Sequence, residues 1–230
     1  MIHDIKTPLS TIRLGLGALD HEKIVNDPEK RTKYLQVIST ETQHAYSLIN
    51  RILTISKSQA GKLELKKVQV DMTSMLSKME ENFRVNRLKN VSFENHINCQ
   101  YAFADEEYLK EIFYNLIDNS IKYSDGDVTI RISTDKVDKG VSIRVRDNGI
   151  GISKADQKVI FDKYERASAA KRTFKKKGAP GFGLGLTYVF QVIDAHEGMI
   201  GVESELGRYT EFSIFLPDQK TDSLDANERV

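Results

Sequence analysis

Three side chains near the start of the chain combine types that could do phosphoryl chemistry on one helical face. His3 carries an imidazole, a competent nucleophile when neutral. Asp4 stands next to it and could fix the ring tautomer or accept its proton. Thr7 follows His3 by four residues, the spacing that brings side chains together on one side of a helix. Pro8 has no N–H and crowds the carbonyl of Asp4, so it should bend that helix. A lone histidine at such a place also fits an ordinary surface residue, so the reading depends on what the rest of the chain carries.

The second half carries groups suited to a nucleotide. In the stretch Asn115 to Tyr123, Asn115 and Asn119 are four apart on a helix. Their amide oxygens suit Mg²⁺, and their amide nitrogens can donate to phosphate. Lys122 adds a point charge for phosphate, and Tyr123 offers a ring near a base. Two solvated amides would show the same spacing. Glu111, one turn before Asn115, could act as a general base for water or bind Mg²⁺ through water. Asp147 ends a strand, where its carboxylate could accept from the exocyclic amine of adenine. Gly149 and Gly151 then allow close backbone approach to a flat ring. An ordinary Asp-Asn-Gly turn is the alternative.

Further on, Gly181, Gly183, Leu184, Gly185 and Leu186 open a helix whose free N–H groups could hold phosphates. The glycine spacing is not that of a dinucleotide fingerprint, and no Gly-Lys-Ser/Thr follows. The segment between, with Phe161, Lys163, Tyr164, Arg166 and a lysine-rich run to Lys177, reads as a long lid. Its aromatics would anchor it, and Lys163 or Arg166 would approach the γ-phosphate.

These groups need elements to hold them. Ile2, Ile5, Leu9, Ile12, Leu16 and Leu19 step by three and four, a coiled-coil-like seam on a helix expected to reach about Ile24. Asp27 and Pro28 read as N-cap and first helical residue of a second helix, ending near Gly61. The apolar stripe of this hairpin is wider than one partner helix covers, which predicts a homodimer through a four-helix bundle. After Gly61 the periodicity changes. Leu63–Leu65, Val68–Val70, Val91–Glu94, Tyr101–Ala104, 127–133, 141–146, 199–203 and 211–216 read as strands. Helices are expected from Asp71 to about Arg87, from Asp105 or Glu106 to about Lys122, and from about Gly183 to His196. The expected class is α+β: a helical hairpin followed by an α/β sandwich, one sheet with helices on one face. The domain expectation is 1–60 for the hairpin, 61–217 for the sandwich and 218–230 for a disordered tail.

Composition bounds the partners. The 230 residues carry a net charge of +1, which gives no general electrostatic case for nucleic acid or an anionic membrane. The one cysteine, Cys99, excludes an internal disulfide and fits a reducing compartment. No apolar run approaches the ~20 residues of a membrane span.

The pattern His3-Asp4-x-x-Thr7-Pro8-Leu9 resembles the phosphoacceptor box of sensor histidine kinases. The asparagine, Asp147, phenylalanine and glycine stretches resemble, in order, the boxes of that family's Bergerat-type ATP domain. The likeness runs from His3 to about Leu216. It implies ATP and Mg²⁺ as cofactors, with autophosphorylation of His3 helped by Asp4. It further implies transfer to an aspartate on a response-regulator receiver domain, and a role for Thr7 in dephosphorylating that partner. By the same resemblance Asn115 and Asn119 hold Mg²⁺ and phosphates, and Asp147 reads adenine. Glu111 stands where histidine kinases often carry glutamine and hydrolysing Bergerat ATPases carry glutamate. Tyr209 stands where the family usually has a second glycine, beside the candidate Thr210. A cytoplasmic catalytic core is implied, with the sensor and any membrane anchor upstream. A dimeric nucleotide-binding scaffold that transfers nothing is the rival reading.

Overall fold

A computed structural model of the chain describes residues 2–21, 24, 26–86, 91–162 and 184–218, with the side chains of 2–4 and 84–86 outside that description. The chain divides into two compact units, Met1–Lys57 and Ser58–Val230.

The first unit is built on two helices, α1 (Ile2–Leu19) and α2 (Pro28–Gln59). α1 runs through Pro8, which is buried. It stops short of the expected Ile24. Beyond it the backbone closes shorter turns: His21 N–H bonds Ala18 O, and Asp27 N–H bonds Ile24 O, each at 3.2 Å. Asp20, a weak helix former, falls at the break. α2 starts as its sequence dictates, with Asp27 Oδ1 accepting from Lys30 N–H at 3.1 Å. Gly15 sets how closely the helices meet, because a Cβ there would lie 2.9 Å from Ile38 Cγ1. Much of the apolar stripe is exposed, at Leu9, Leu14, Leu16, Leu35, Ile49 and Leu53. Gly61, at φ +65°, ends the segment by donating its N–H to Ser58 O.

The second unit holds two sheets where one was expected. Strands β1 (Lys67–Asp71) and β3 (Tyr101–Asp105) form an antiparallel pair of their own. Leu63–Leu65 lies outside it, because the register already ends at Lys67 opposite Asp105. The larger sheet contains β2 (Val91–Ile97), β4 (Val128–Val137), β5 (Gly140–Asp147), β6 (Met199–Glu205) and β7 (Tyr209–Pro217), ordered β2-β4-β5-β7-β6. β2 runs parallel to β4 and the remaining pairs are antiparallel. Helix α3 (Met72–Asn86) is capped by Asp71, which accepts from Ser74 N–H, and it buries Met72, Met75, Leu76, Met79 and Phe83. Helix α4 (Glu106–Lys122) is capped by Asp105. A short helix, α5 (Lys154–Gln157), capped by Ser153, follows β5. Helix α6 spans Gly185–Ala195.

Strand alternation decides which residues meet the helices. Ile130, Ile132, Ile143, Val145, Phe212 and Ile214 are all buried. The opposite face carries paired charges: Arg131 with Glu94, Arg144 with Asp135 and Arg146 with Glu211. Asp147 and Thr210 end the buried rows of β5 and β7, so two polar residues stand where the pattern calls for apolar ones. Asp218, assigned above to a disordered tail, is held by Lys136 and by a backbone bond to Lys139 O. The rest of that tail, 219–230, and the lid residues 163–183 lie outside the described residues.

Candidate functional site

Helix α4 supplies one wall. Asp105 accepts from the N–H groups of Glu107 and Tyr108 and fixes where the helix begins. Its apolar residues Ile112, Phe113, Leu116 and Ile117 are fully buried, which sets its rotation. That rotation buries Asn115 and leaves Asn119, Lys122 and Tyr123 half-buried. Asn115 Nδ2 donates to Glu111 O at 2.7 Å, so the amide oxygen points the other way. It points at Gly185, where a Cβ would sit 3.2 Å from it. A neutral oxygen held in this way fits a hard cation such as Mg²⁺.

Asp147 forms the second wall and is 8% exposed. Its Oδ2 accepts from Ser120 Oγ and its Oδ1 from Gly149 N–H, both at 2.8 Å. Burial pushes its carboxyl above the usual carboxylate range, against the pull of Gly149, Ser120, Thr210 and Arg146. Gly149 and Gly151 are tightly constrained, but by the chain's own backbone. A Cβ at Gly149 would come within 2.8 Å of Tyr123 O, and one at Gly151 within 2.1 Å of Glu205 O. Gly151 also sits at φ +67°. The side of each glycine on which a Cβ would stand is therefore taken up by the turn after α4 and the β6–β7 turn.

Thr210 pairs in register with Asp147. Its hydroxyl lies 3.2 Å from Ser204 Oγ, which accepts from Ile152 N–H and donates to Tyr209 O. With the Ser204 proton so committed, Thr210 is the donor to it. Tyr209, the departure beside it, faces the other side of the strand. Its ring lies under Arg146, 3.7 Å from centroid to guanidinium, and its hydroxyl reaches Glu203. It does not intrude on Thr210.

α6 completes the arrangement. Leu184 is buried at its start and offers no side-chain cap. Gly185 is the first helical residue and Leu186 is half-buried. Tyr188, fully buried, donates its hydroxyl to Glu111 Oε2. At the far end His196 is buried, with Nε2 accepting from Asp105 N–H at 3.0 Å and Nδ1 2.7 Å from Val192 O. Those partners require the neutral ring with its proton on Nδ1, and burial holds its pKa below the ordinary histidine value.

Asn115, Asn119, Lys122, Tyr123, Asp147, Gly149, Gly151, Leu184, Gly185, Leu186 and Thr210 thus belong to neighbouring elements of the second unit. Lys163, Tyr164, Gly181 and Gly183 lie outside the described residues. His3 and Asp4 fall on α1 with undescribed side chains, and Thr7 is exposed there. Ser120, Ser204 and Tyr188 escaped sequence reasoning. Ser120 carried a faint signal, a hydroxyl on the helix face that also buries Leu116, Ile117 and Ile121.

Comparison with known proteins bears on both units. The family model described as "His Kinase A (phospho-acceptor) domain" matches residues 1–61. The model described as "Histidine kinase-, DNA gyrase B-, and HSP90-like ATPase" matches residues 104–220. The chain belongs to the sensor histidine kinase family. Among the chain's relatives is the sensor protein RprX of Bacteroides fragilis, 33% identical over 96% of the chain and 43% of that protein. Another is the sensor histidine kinase WalK of Bacillus subtilis, 29% identical over 98% of the chain and 37% of that protein. The chain thus spans less than half of each of these two curated relatives. The Acinetobacter baumannii histidine kinase AdeS shares the fold, with a TM-score of 0.70, 21% identity, and coverage of 94% of this chain and 97% of its own. Full-length ShkA, solved in complex with AMPPNP, matches at a TM-score of 0.66 and 25% identity over 94% of this chain and 45% of its own. The chain thus joins a phosphoacceptor-domain match to an ATPase-type match. Among the described residues no helix is long and apolar enough to cross a membrane.

Proposed function

We propose that the chain phosphorylates His3 from ATP and passes the phosphoryl group to an aspartate of a response-regulator receiver domain. It acts as a homodimer and as the cytoplasmic part of a longer sensor. Residues 1–60 form the dimerising phosphotransfer domain and 61–217 the ATP-binding domain. The observation that carries the reading is the union in one chain of a phosphoacceptor match containing His3 and a domain in which Asn115 and Asp147 converge on one helix.

The residues divide the work as follows. Asp147 retains lone pairs beyond those taken by Ser120 and Gly149 and accepts from the adenine amine. Asn115 and Asn119 would hold Mg²⁺, which neutralises phosphate charge when bound. Lys122 and the amide end of α6, with Gly181, Gly183, Leu184, Gly185 and Leu186, hold phosphate oxygens. Tyr123, Gly149, Gly151 and Thr210 shape the base side, and Lys163 and Tyr164 belong to the lid. The His3 ring nitrogen bonds to the γ-phosphorus as the bond to the ADP oxygen breaks, and the ring proton passes to Asp4. The exposed leucines and isoleucines of α1 and α2 support a second copy as dimer partner. A solved structure of the histidine kinase ThkA with the response regulator TrrA, alike at a TM-score of 0.63, supports the receiver as acceptor.

The test is incubation with γ-labelled ATP. Acid-labile label should accumulate on the chain, disappear in His3→Gln and move to a receiver domain. A chain that binds ATP but takes no label would instead be a nucleotide-binding scaffold. Label persisting on His3→Gln would overturn the phosphoacceptor assignment.

A further inference from the structure

The Tyr188–Glu111 contact has no part in the roles assigned above, yet it joins the two helices that carry the phosphate-side groups. Tyr188 lies one turn into α6 from Gly185, and Glu111 one turn before Asn115 on α4. The phenol is wholly buried, and its hydroxyl donates to the Glu111 carboxylate. Glu111 also acts through its backbone, since its carbonyl accepts Asn115 Nδ2 and turns the Asn115 oxygen toward Gly185. One residue therefore both aims the asparagine and ties down the helix end that the asparagine faces.

We propose that Tyr188 is a positioning residue for the nucleotide, holding the amide end of α6 against Asn115 through Glu111. The inference rests on the nucleotide reading above. The circuit is closed: Gly185 to Tyr188 along α6, Tyr188 to Glu111 across the gap, Glu111 to Asn115 along α4, and Asn115 back to Gly185. A Cβ added at Gly185 would stand only 3.2 Å from Asn115 Oδ1, so the glycine lets the helix end face the asparagine closely. The width of that gap is thus governed by the charge-assisted hydrogen bond one turn away. Releasing that bond lets α6 rock on its buried residues Val189, Val192 and Ile193 without unpacking them. The effect belongs to ligand binding more than to the fold.

The experiment is calorimetric titration of the full chain with a non-hydrolysable ATP analogue, with melting curves for each variant. Tyr188→Phe keeps the buried ring and removes the hydroxyl. It should weaken the analogue by about tenfold or more, the size of one net hydrogen bond to a charged group, with little change in Tm. Glu111→Ala should match it, and the double variant should bind no worse than either single one, because both break the same link. Glu111→Gln keeps an acceptor oxygen for the phenol and should recover most of the affinity. Analogue affinity unchanged in Tyr188→Phe, or losses that add in the double variant, would overturn the proposal. So would a Glu111→Gln as weak as Glu111→Ala, since charge rather than the link would then matter. A wild-type chain that fails to bind the analogue would instead refute the nucleotide reading itself.

Discussion

Asp147→Asn separates the cost of the site from the cost of the fold. In the folded chain the carboxylate accepts two hydrogen bonds and is almost fully buried. The asparagine keeps one oxygen for Gly149 N–H. Its amide nitrogen falls where Oδ2 accepted from Ser120, but Ser120 Oγ is also 3.1 Å from Leu116 O and can turn its proton there while accepting from the new amide. The internal network thus survives. Burial raises the Asp147 pKa, so the folded state holds its proton more tightly than the unfolded chain, and this contribution fades as pH rises through the folded value. At neutral pH the charged form therefore burdens the empty site, and the uncharged asparagine should leave the melting temperature unchanged or higher. For ATP the amide turns a pure acceptor into a partial donor facing the adenine amine. An unsatisfied buried polar group costs about 1–3 kcal/mol, or roughly 5- to 150-fold in Kd. Calorimetry with ATP and a melting curve on the same sample provide the two readings. Unchanged ATP affinity would refute adenine recognition by Asp147, and a collapse in melting temperature would make the carboxylate structural.

Thr7→Ala should spare labelling of His3 but slow loss of phosphate from a phosphorylated receiver domain. Thr7 is an exposed helical residue, so alanine costs no helix stability, and equal loss of both activities would point away from a dephosphorylating role. His196 should titrate below the ordinary 6.5 in an NMR pH series. Its folded pKa is depressed, so stability should fall as pH drops through 6.5 toward the folded value, and a midpoint at or above 6.5 would contradict the buried neutral ring. Gly61 and Gly151 share a positive φ, but only Gly151 lacks room for a Cβ. Gly61→Ala should cost about 1–2 kcal/mol for the left-handed backbone alone, and Gly151→Ala should cost clearly more by urea denaturation; equal losses would contradict the close approach to Glu205.

Where one local rule governed, the chain was readable. Asp27, Asp71 and Asp105 each announce a helix start and each accepts the expected backbone N–H. The alternation of β4, β5 and β7 located the core and placed Asp147 at a strand end. What remained hidden depends on partners distant in sequence. Nothing near Leu63 says that β1 must stop where β3 runs out of residues to pair. Ser204 alternates like any strand residue, and only the pairing of β6 with β7 shows that it serves Thr210 and Ile152. Tyr188 reads as core from its helical spacing, and its hydroxyl acquires a meaning only when α6 is laid beside α4. Gly149 and Gly151 suggest close approach to a flat ring from sequence, and only the folded chain shows Tyr123 and Glu205 backbone beside them.

The pairing of Asp147 with Thr210 has a consequence for how the kinase tolerates change. These two residues are about sixty positions apart, yet their relative placement is set by strand register alone. Substitutions on the charged face of β5 and β7 leave that register in place and cost little. A single-residue slip between β5 and β7 would be far more damaging, because it would turn one of the two side chains to the opposite face of the sheet.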